Sequence, residues 1–273
     1  MTVRNLEHIS FDTIIECLSI AFNNYYVEMP TDVEYYRVRW SQAKVDLKLS
    51  YGMFDEESLV AVMINGIDHR YGNRIAYNTG TGVIPEYRGQ NIVKQMYDYA
   101  IPQFKALGIS KCLLEVITQN TKAIKAYERV GFNITRTLKC FSGNIDHTIK
   151  PIQVEKKHIN LKTFESLPNQ NLYSWDNHKN TVLLNSKYNY YEVRNETGLI
   201  GFFIIDKDKG YLPQFDVLSG NASSWNDLFS GIQSITKTFK TNNVDLRLSE
   251  KLKTLKAFGI ENVIDHYEME LDI

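Results

Sequence analysis

The chain has 273 residues, with 31 Lys and Arg against 32 Asp and Glu and a net charge of −1. Balanced, scattered charge leaves no footprint for nucleic acid or an anionic membrane, and no run approaches the roughly 20 apolar residues of a membrane span. The length suits two domains, each able to bury its own core.

Residues 1–8 carry no apolar signal-peptide core, so a cytoplasmic location is expected. Cys17, Cys112 and Cys140 are odd in number and far apart, which fits buried thiols in a reducing compartment rather than a disulfide framework. Phe11, Ile14, Ile15, Leu18 and Phe22 recur at helical spacing and predict an amphipathic helix. Residues 59–64 and 74–79 are short β-rich runs around a polar turn at 69–73, a hairpin signature. A glycine-rich break at 80–89 follows. Then Ile92, Val93, Met96, Tyr97, Ala100, Phe104 and Leu107 set a period near 3.6, a long helix that Pro102 should kink and Gly108 should end. Residues 111–117 read as a buried strand, and Asn120 opens another helix that closes at Gly131. Strand, glycine loop, helix, strand, helix is an α/β crossover order.

Composition shifts toward Lys, Asn and Gln between 146 and 180, the candidate linker. Beyond it, residues 199–205 and 211–217 resemble the hairpin, 225–239 the long helix, 244–248 the later strand, and 252–260 the stretch ending at Gly131 and Phe132. This reads as a diverged internal duplication, with two unrelated α/β domains as the alternative.

The chemistry concentrates between Val83 and Met96. Gly89 lets backbone approach a ligand, and the helix after it turns unpaired N–H groups back onto the loop, which makes a pyrophosphate cradle. Arg88 adds a cation there. Asn120, Ala123, Tyr127, Gly131 and Phe132 fit N-x2-A-x3-Y-x3-G-F. Seven residues make about two turns, so Asn120, Ala123 and Tyr127 share one helical face.

Together the two segments resemble the signature of the GNAT superfamily of N-acetyltransferases. In that family a Val-x-Pro-x-Tyr-Arg-Gly-x-Gly-x-Gly/Ala segment binds coenzyme A, and the Asn…Ala…Tyr…Gly-Phe segment follows one strand later. The likeness covers residues 1–140 in element order and 79–132 in motif detail. Two positions depart: Asn91 stands for a glycine and Val93 for Gly or Ala. Bulky, β-branched Val93 is expected to hold the pyrophosphate farther out or more weakly.

The resemblance implies an α/β (α+β) fold of two tandem GNAT-like domains, each a mixed central sheet flanked by helices. Residues 1–145 would bind acetyl-coenzyme A and carry catalysis, and residues 146–273 would be a degenerate copy without the cofactor motif. The implied reaction moves an acetyl group to a primary amine by direct attack in a ternary complex. Backbone at Gly82, Val83 and Ile84 would hold the pantetheine arm, with the Val83 amide facing the acetyl oxygen. Arg88, Gly89, Gln90, Asn91, Ile92 and Val93 would surround the pyrophosphate. Asn120 and Ala123 would face the pantetheine, although Asn120 equally suits a helix N-cap. Tyr127 would protonate the departing thiolate, a phenol of pKa about 10 facing a thiol near 8.5.

A lysine-like amine must lose its proton first, at a cost of roughly 4–5 kcal/mol at pH 7. Glu115 is the first candidate to accept it, because Leu-Glu-Val ahead of an Asn is similar to the strand of protein-N-terminal acetyltransferases in this family, where the glutamate is a base. Tyr77 and Asp68 are alternatives acting through water. Tyr25, Tyr26 and Glu28, after the first helix, are expected to contact the acceptor along with Tyr77. That acceptor is a small-molecule amine or a peptide N-terminus, and the protein a monomer or homodimer.

Aligning Gly259 and Ile260 with Gly131 and Phe132 puts Leu248 opposite Asn120 and Leu255 opposite Tyr127, so the second half is expected to bind no coenzyme A. It would instead form a wall of the acceptor cleft or a dimer surface. A rival reading is a catalytically silent acyl-CoA-binding or sensory protein of the same fold, which Asn91 and Val93 suit and Tyr127 and Glu115 oppose. A tandem acyltransferase taking an aminoacyl group from tRNA is opposed by Arg88 and Gly89. Gly80-x-Gly82 is no dinucleotide fingerprint, since Pro85 replaces its third glycine. The six histidines, His147 among them, form no metal-ligand pair.

Overall fold

The computed structural model describes residues 1–146, 150–218 and 222–273, so His147 lies outside the described residues. Two compact units are present, Met1–Thr135 with Tyr267–Ile273, and Arg136–His266.

The first unit begins with β1 (Thr2–Asn5), α1 (Phe11–Ala21) and α2 (Val33–Gln42). Ser10 caps α1 by accepting the Thr13 N–H at 3.1 Å, and Ile14, Ile15, Cys17 and Leu18 form its buried face. Helix α2 escapes the sequence reading because its apolar face is only Tyr36 and Trp40, with Trp40 packing on Phe11 at 5.0 Å between ring centroids. Next come β2 (Tyr51–Asp55), β3 (Ser58–Arg70) and β4 (Asn73–Val83), an antiparallel meander. The hairpin is longer than its β-rich runs. It turns on two residues alone, Tyr71 at φ 52 and Gly72 at φ 79, a pair of positive φ values that matches the twist of a tight hairpin.

After a short 3-10 turn come α3 (Ile92–Ala106), β5 (Lys111–Ile117), which runs parallel to β4, and α4 (Thr121–Val130). Helix α3 contains the exposed Pro102 and runs on to Ala106, two residues before Gly108. Alternate residues of β3 serve opposite faces. Ala61 and Met63 pack with Met96, Tyr97 and Phe104 of α3, while Val62 and Ile64 pack with Ile14 and Leu18 of α1.

The second unit comprises most of β6 (Asn133–Asn144), then β7 (Gln153–Lys157), α5 (Leu161–Glu165), α6 (Lys179–Val182), β8 (Tyr188–Asn195) and β9 (Gly198–Asp206). β10 (Tyr211–Val217), α7 (Ala222–Gln233), β11 (Thr238–Asp245), α8 (Ser249–Ala257) and the start of β12 (Glu261–Asp272) complete it. Strands β8 to β10 form an antiparallel meander, and β11 lies parallel to β10 after the α7 crossover, the same order as in the first unit.

Two expectations are corrected. The helix expected over 225–239 ends at Gln233, and the strand expected at 244–248 occupies Thr238–Asp245. The Thr236-Lys-Thr-Phe-Lys-Thr run is rich in β-branched and aromatic residues, a strand preference that outweighs Phe239's helical spacing. The sequence reading divides the chain after residue 145; the first compact unit runs to Thr135 and also takes in Tyr267–Ile273. There the end of β12 lies next to β5, with the Ile273 N–H bonded to the Ser110 carbonyl at 3.0 Å and Lys111 paired with Glu270. A strand edge accepts a partner from anywhere in the chain, which composition does not register.

In the second unit the partly buried His266 holds Nδ1 2.9 Å from Asn243 Oδ1 and 3.5 Å from Cys140 Sγ. Burial pushes its pKa below the usual value, opposed by the charge of Asp265. The unfolded chain, with a histidine pKa near 6.5, therefore binds more protons than the folded one in the window just below that value. Stability is full above pH 6.5 and declines as pH falls toward the folded pKa. Urea midpoints are expected to drop between pH 7.5 and 5, and His266→Gln to flatten that drop. An equal slope in the variant would assign the acid sensitivity elsewhere.

Candidate active site

Strands β4 and β5 pair from Ile75 with Lys111 to Asn78 with Leu114, and no further. On its other side β4 shifts register against β3 between Ile64 and Asn65, leaving Thr79 as an extra residue. A bulge of this kind bends and twists its strand. Residues 79–83 thus part from β5 while staying on β3, and no strand among the described residues pairs with their other edge. Such an edge offers backbone N–H and C=O groups to a ligand.

Asn78 fixes the bend. Its Oδ1 accepts the Gly80 N–H at 3.0 Å, and its Nδ2 donates to Thr81 Oγ1 at 2.6 Å and Tyr97 Oη at 2.8 Å. Above the bent segment α1 comes so close that a Cβ on Gly82 would lie 2.7 Å from Ala21 Cβ, which is why glycine stands there. Arg88 ties the following loop down, donating from Nε to the Val83 carbonyl at 3.1 Å and from Nη2 to the Ala21 carbonyl at 2.9 Å. The sequence reading gave this guanidinium to a phosphate, whereas here it clamps two backbone carbonyls.

Gly89 and Asn91 adopt φ values of 80 and 56. Asn91 therefore takes the left-handed conformation that glycine would take at its position, and asparagine tolerates it better than most residues. It is the N-cap of α3 by position, yet its side chain caps nothing. The first-turn N–H groups of α3 thus have no side-chain acceptor, a helix end suited to an anion.

On α4, Asn120 is an N-cap, its Oδ1 accepting the Ala123 N–H at 3.2 Å while its Nδ2 donates to Tyr25 Oη at 3.5 Å. Tyr26 Oη donates to the Gln119 carbonyl at 3.2 Å. Tyr127 is buried on the same helix, its pKa pushed up to about 12 by burial, with a Thr81 hydrogen bond lowering it and Tyr25 raising it.

These elements enclose a cavity of ≈ 610 Å³. Gly82, Val83, Arg88 and Gly89 line it, as do Asn91, Ile92 and Val93 at the start of α3. Asn120, Ala123 and Tyr127 face it from α4, and Tyr25 and Tyr26 from the loop after α1. Five expected residues do not line it. The Ile84 N–H is spent on the Val60 carbonyl at 3.0 Å, Gln90 is exposed with its carbonyl bound to Gln95, and Glu28 is exposed. Tyr77 is buried in β4. Glu115 is the first residue of β5 beyond the last β4 pair. Because Cys112, Leu114 and Val116 join the core under α3 and α4, Glu115 lies on the opposite face of the sheet. Asp68, proposed to work through water, is committed to Lys44 at 2.6 Å and Arg70 at 3.1 Å.

The sequence reading missed Asn78 and Thr81, whose task depends on a bulge invisible in composition, and the basic residues Lys94, Lys122, Lys125 and Arg129, which also line the cavity. The helical spacing of Lys122, Lys125 and Arg129 on α4 was the available signal. Among the described residues no cluster of His, Cys, Asp or Glu is arranged to hold a metal ion, and no helix is long and apolar enough to cross a membrane.

Residues 14–132 match the acetyltransferase (GNAT) family model. No curated protein matches the sequence significantly. Among solved structures the chain is similar to a GCN5-related N-acetyltransferase from Sphaerobacter thermophilus, at 12% identity and a TM-score of 0.67, covering 99% of this chain and 95% of that one. It is similar to a tandem GNAT protein from the clavulanic acid biosynthesis pathway, at 8% identity and a TM-score of 0.69, over 99% and 98% of the two chains. A GCN5-related N-acetyltransferase from Anabaena variabilis is similar at 12% identity and a TM-score of 0.62, over 98% and 72%. At such identities the likeness is one of fold, and it extends over the whole chain.

Proposed function

We propose, from the match of residues 14–132 to the acetyltransferase (GNAT) family, that the first unit of this chain binds acetyl-coenzyme A and transfers the acetyl group to a primary amine, of a small molecule or a peptide N-terminus, by direct attack in a ternary complex. The observation that carries this reading is the fork at Asn78 and Leu114, where an open strand edge, an uncapped helix end and a buried tyrosine converge on one cavity. The residues present fit the cofactor. The bent edge at 79–83 suits the amide groups of a pantetheine arm, and Gly89 has open space where a side chain would stand, leaving room for a pyrophosphate against the N–H groups of 91–93.

When bound, acetyl-coenzyme A supplies an acetyl group activated on sulfur. The chain's own groups position and protonate. Val83 and its neighbours on β4 offer backbone to the arm, and Asn120 holds α4 and the Tyr25 hydroxyl in place. Tyr127 keeps a proton available inside the cavity. Glu115, at the fork on the face bearing α1 and α2, is the group we assign to accept the amine proton, with Tyr77, Tyr25, Tyr26 and Glu28 as acceptor contacts. The second unit, with Leu248 and Leu255 where the first has Asn120 and Tyr127, is read as a degenerate copy without a cofactor role.

The test is calorimetric titration with acetyl-coenzyme A, beside Arg88→Ala, followed by thiol release over an amine panel. Micromolar binding is expected, weakened about tenfold in the variant because the loop loses its two carbonyl anchors. No binding would overturn the cofactor assignment, and binding without turnover on any amine would favour a silent acyl-CoA sensor.

A further inference from the structure

The charge lining the cavity is one-sided. Arg88, Lys94, Lys122, Lys125 and Arg129 line it, and no Asp or Glu does, in a chain whose acidic and basic residues nearly cancel. Two of these cations are occupied: Arg88 by the Ala21 and Val83 carbonyls, and Lys94 by Asp98 at 2.6 Å. Lys122, Lys125 and Arg129 have no ion pair among the described residues. Their spacing of three and then four residues stacks them along one face of α4, over about 10 Å of helix.

An ordinary solvated helix mixes its charges, but α4 sorts them. Its acidic residue, Glu128, is turned to a separate surface depression with Gly131, Phe132, Asn133 and Ile134. The charged residues of α4 that border the cavity are all basic. The uncapped end of α3 already provides N–H groups for a pyrophosphate, so three further cations exceed what that group needs.

We infer that Lys122, Lys125 and Arg129 form a subsite for the 3′-phosphate of coenzyme A, making the first unit selective for the full cofactor over forms that lack this phosphate. The inference rests on the acetyl-coenzyme A reading above. A phosphate monoester carries about −1.5 to −2 charge at pH 7, and its terminal oxygens make their strongest hydrogen bonds with cationic donors.

The test is calorimetric titration with coenzyme A and with 3′-dephospho-coenzyme A at low and moderate salt. The proteins are the wild type, a Lys122→Ala, Lys125→Ala, Arg129→Ala triple variant, and a control triple at Lys105, Lys237 and Lys240, exposed lysines outside the cavity. The wild type and the control are expected to prefer coenzyme A by at least about tenfold, a preference that shrinks with added salt. The α4 triple is expected to bind both ligands with nearly equal affinity, near that of the wild type for the dephospho form. Equal binding of the two ligands by the wild type, or a preference that survives in the α4 triple, would overturn the subsite and leave the cofactor reading standing. Failure of the wild type to bind either ligand would remove both.

Discussion

Tyr127→Phe is expected to lower kcat by about 10²- to 10⁴-fold while the KM for acetyl-coenzyme A changes little. The effect depends on the direction of one proton. The Gly80 N–H on Asn78 Oδ1 fixes which end of that amide is which, so Asn78 Nδ2 faces Thr81 Oγ1. Thr81 also hydrogen-bonds Tyr127, a contact that lowers the Tyr127 pKa, and we assign Thr81 as the donor in it. With its oxygen accepting from Thr81, the Tyr127 hydroxyl is left to point its proton into the cavity. A phenol pushed up to about 12 would lose about 5 kcal/mol in handing that proton fully to a thiolate of pKa near 8.5. On the proposed reading, Tyr127 is expected to act as a hydrogen-bond donor that would stabilise charge on the leaving sulfur rather than as a full proton donor.

The raised pKa also keeps the phenol protonated across the usable range, so kcat is expected to show no alkaline fall due to Tyr127 up to about pH 10. Thr81→Val removes the orienting bond but keeps the phenol. It is expected to cost kcat about tenfold without changing KM. A drop below tenfold in Tyr127→Phe, with kcat and stability falling together, would assign the residue to the core.

How far the sequence revealed this site follows from what each part depends on. The two motifs are local in the chain, and local patterns survive in a sequence: Asn120, Ala123 and Tyr127 fall on one face because a helix repeats every 3.6 residues. The hairpin and the crossover helix were legible for the same reason. The fork was not, because it arises from one extra residue, Thr79, opposite a register shift in another strand. Glu115 was legible as a carboxylate on a central strand but its face was not: strand alternation turns it away from α3 and α4, to the side of the fork that bears α1 and α2. Arg88 looked like a phosphate ligand, since sequence shows a charge and not the two carbonyls waiting for it. The exchange of the last strand was equally hidden. β12 carries the same alternation whichever edge it joins, and only the assembled sheet decides that residues 267–273 lie beside β5.

Lys251→Met is expected to destabilise the second unit by about 3–5 kcal/mol, read as a fall in the urea midpoint of that unit. Lys251 is almost fully buried on α8, and Nζ donates to the Phe215 carbonyl at 2.7 Å and to Asp216 Oδ2 at 2.9 Å. It also lies over the Phe215 ring, 4.7 Å from its centroid. Methionine fills the space but leaves the Asp216 carboxylate buried with, among the described residues, only the Asn169 amide, at 2.7 Å, and the Val217 N–H, at 3.1 Å, to compensate it. Removing both charges together with Asp216→Asn is expected to restore most of the loss, since a neutral pair in the same volume avoids the uncompensated ion.

The pair matters for function because of what it anchors. Asn169, Tyr173 and Asn177 belong to a segment bonded along β10 and β11: Tyr173 to the Phe215 carbonyl, Asn177 to Tyr211, to the Gln214 side chain and to the Asn242 carbonyl. In the first unit the equivalent strands part around an open cavity, whereas in the second the chain fills that place itself. A cofactor could enter there only by expelling a segment held at a buried ion pair. Coenzyme A is therefore expected to leave the urea midpoint of the second unit unchanged in the wild type. It is also expected to produce no second binding event in Lys251→Met, where the segment is loosened. A second event in that variant would show that the plug, rather than the loss of Asn120 and Tyr127 equivalents at Leu248 and Leu255, keeps the second unit empty.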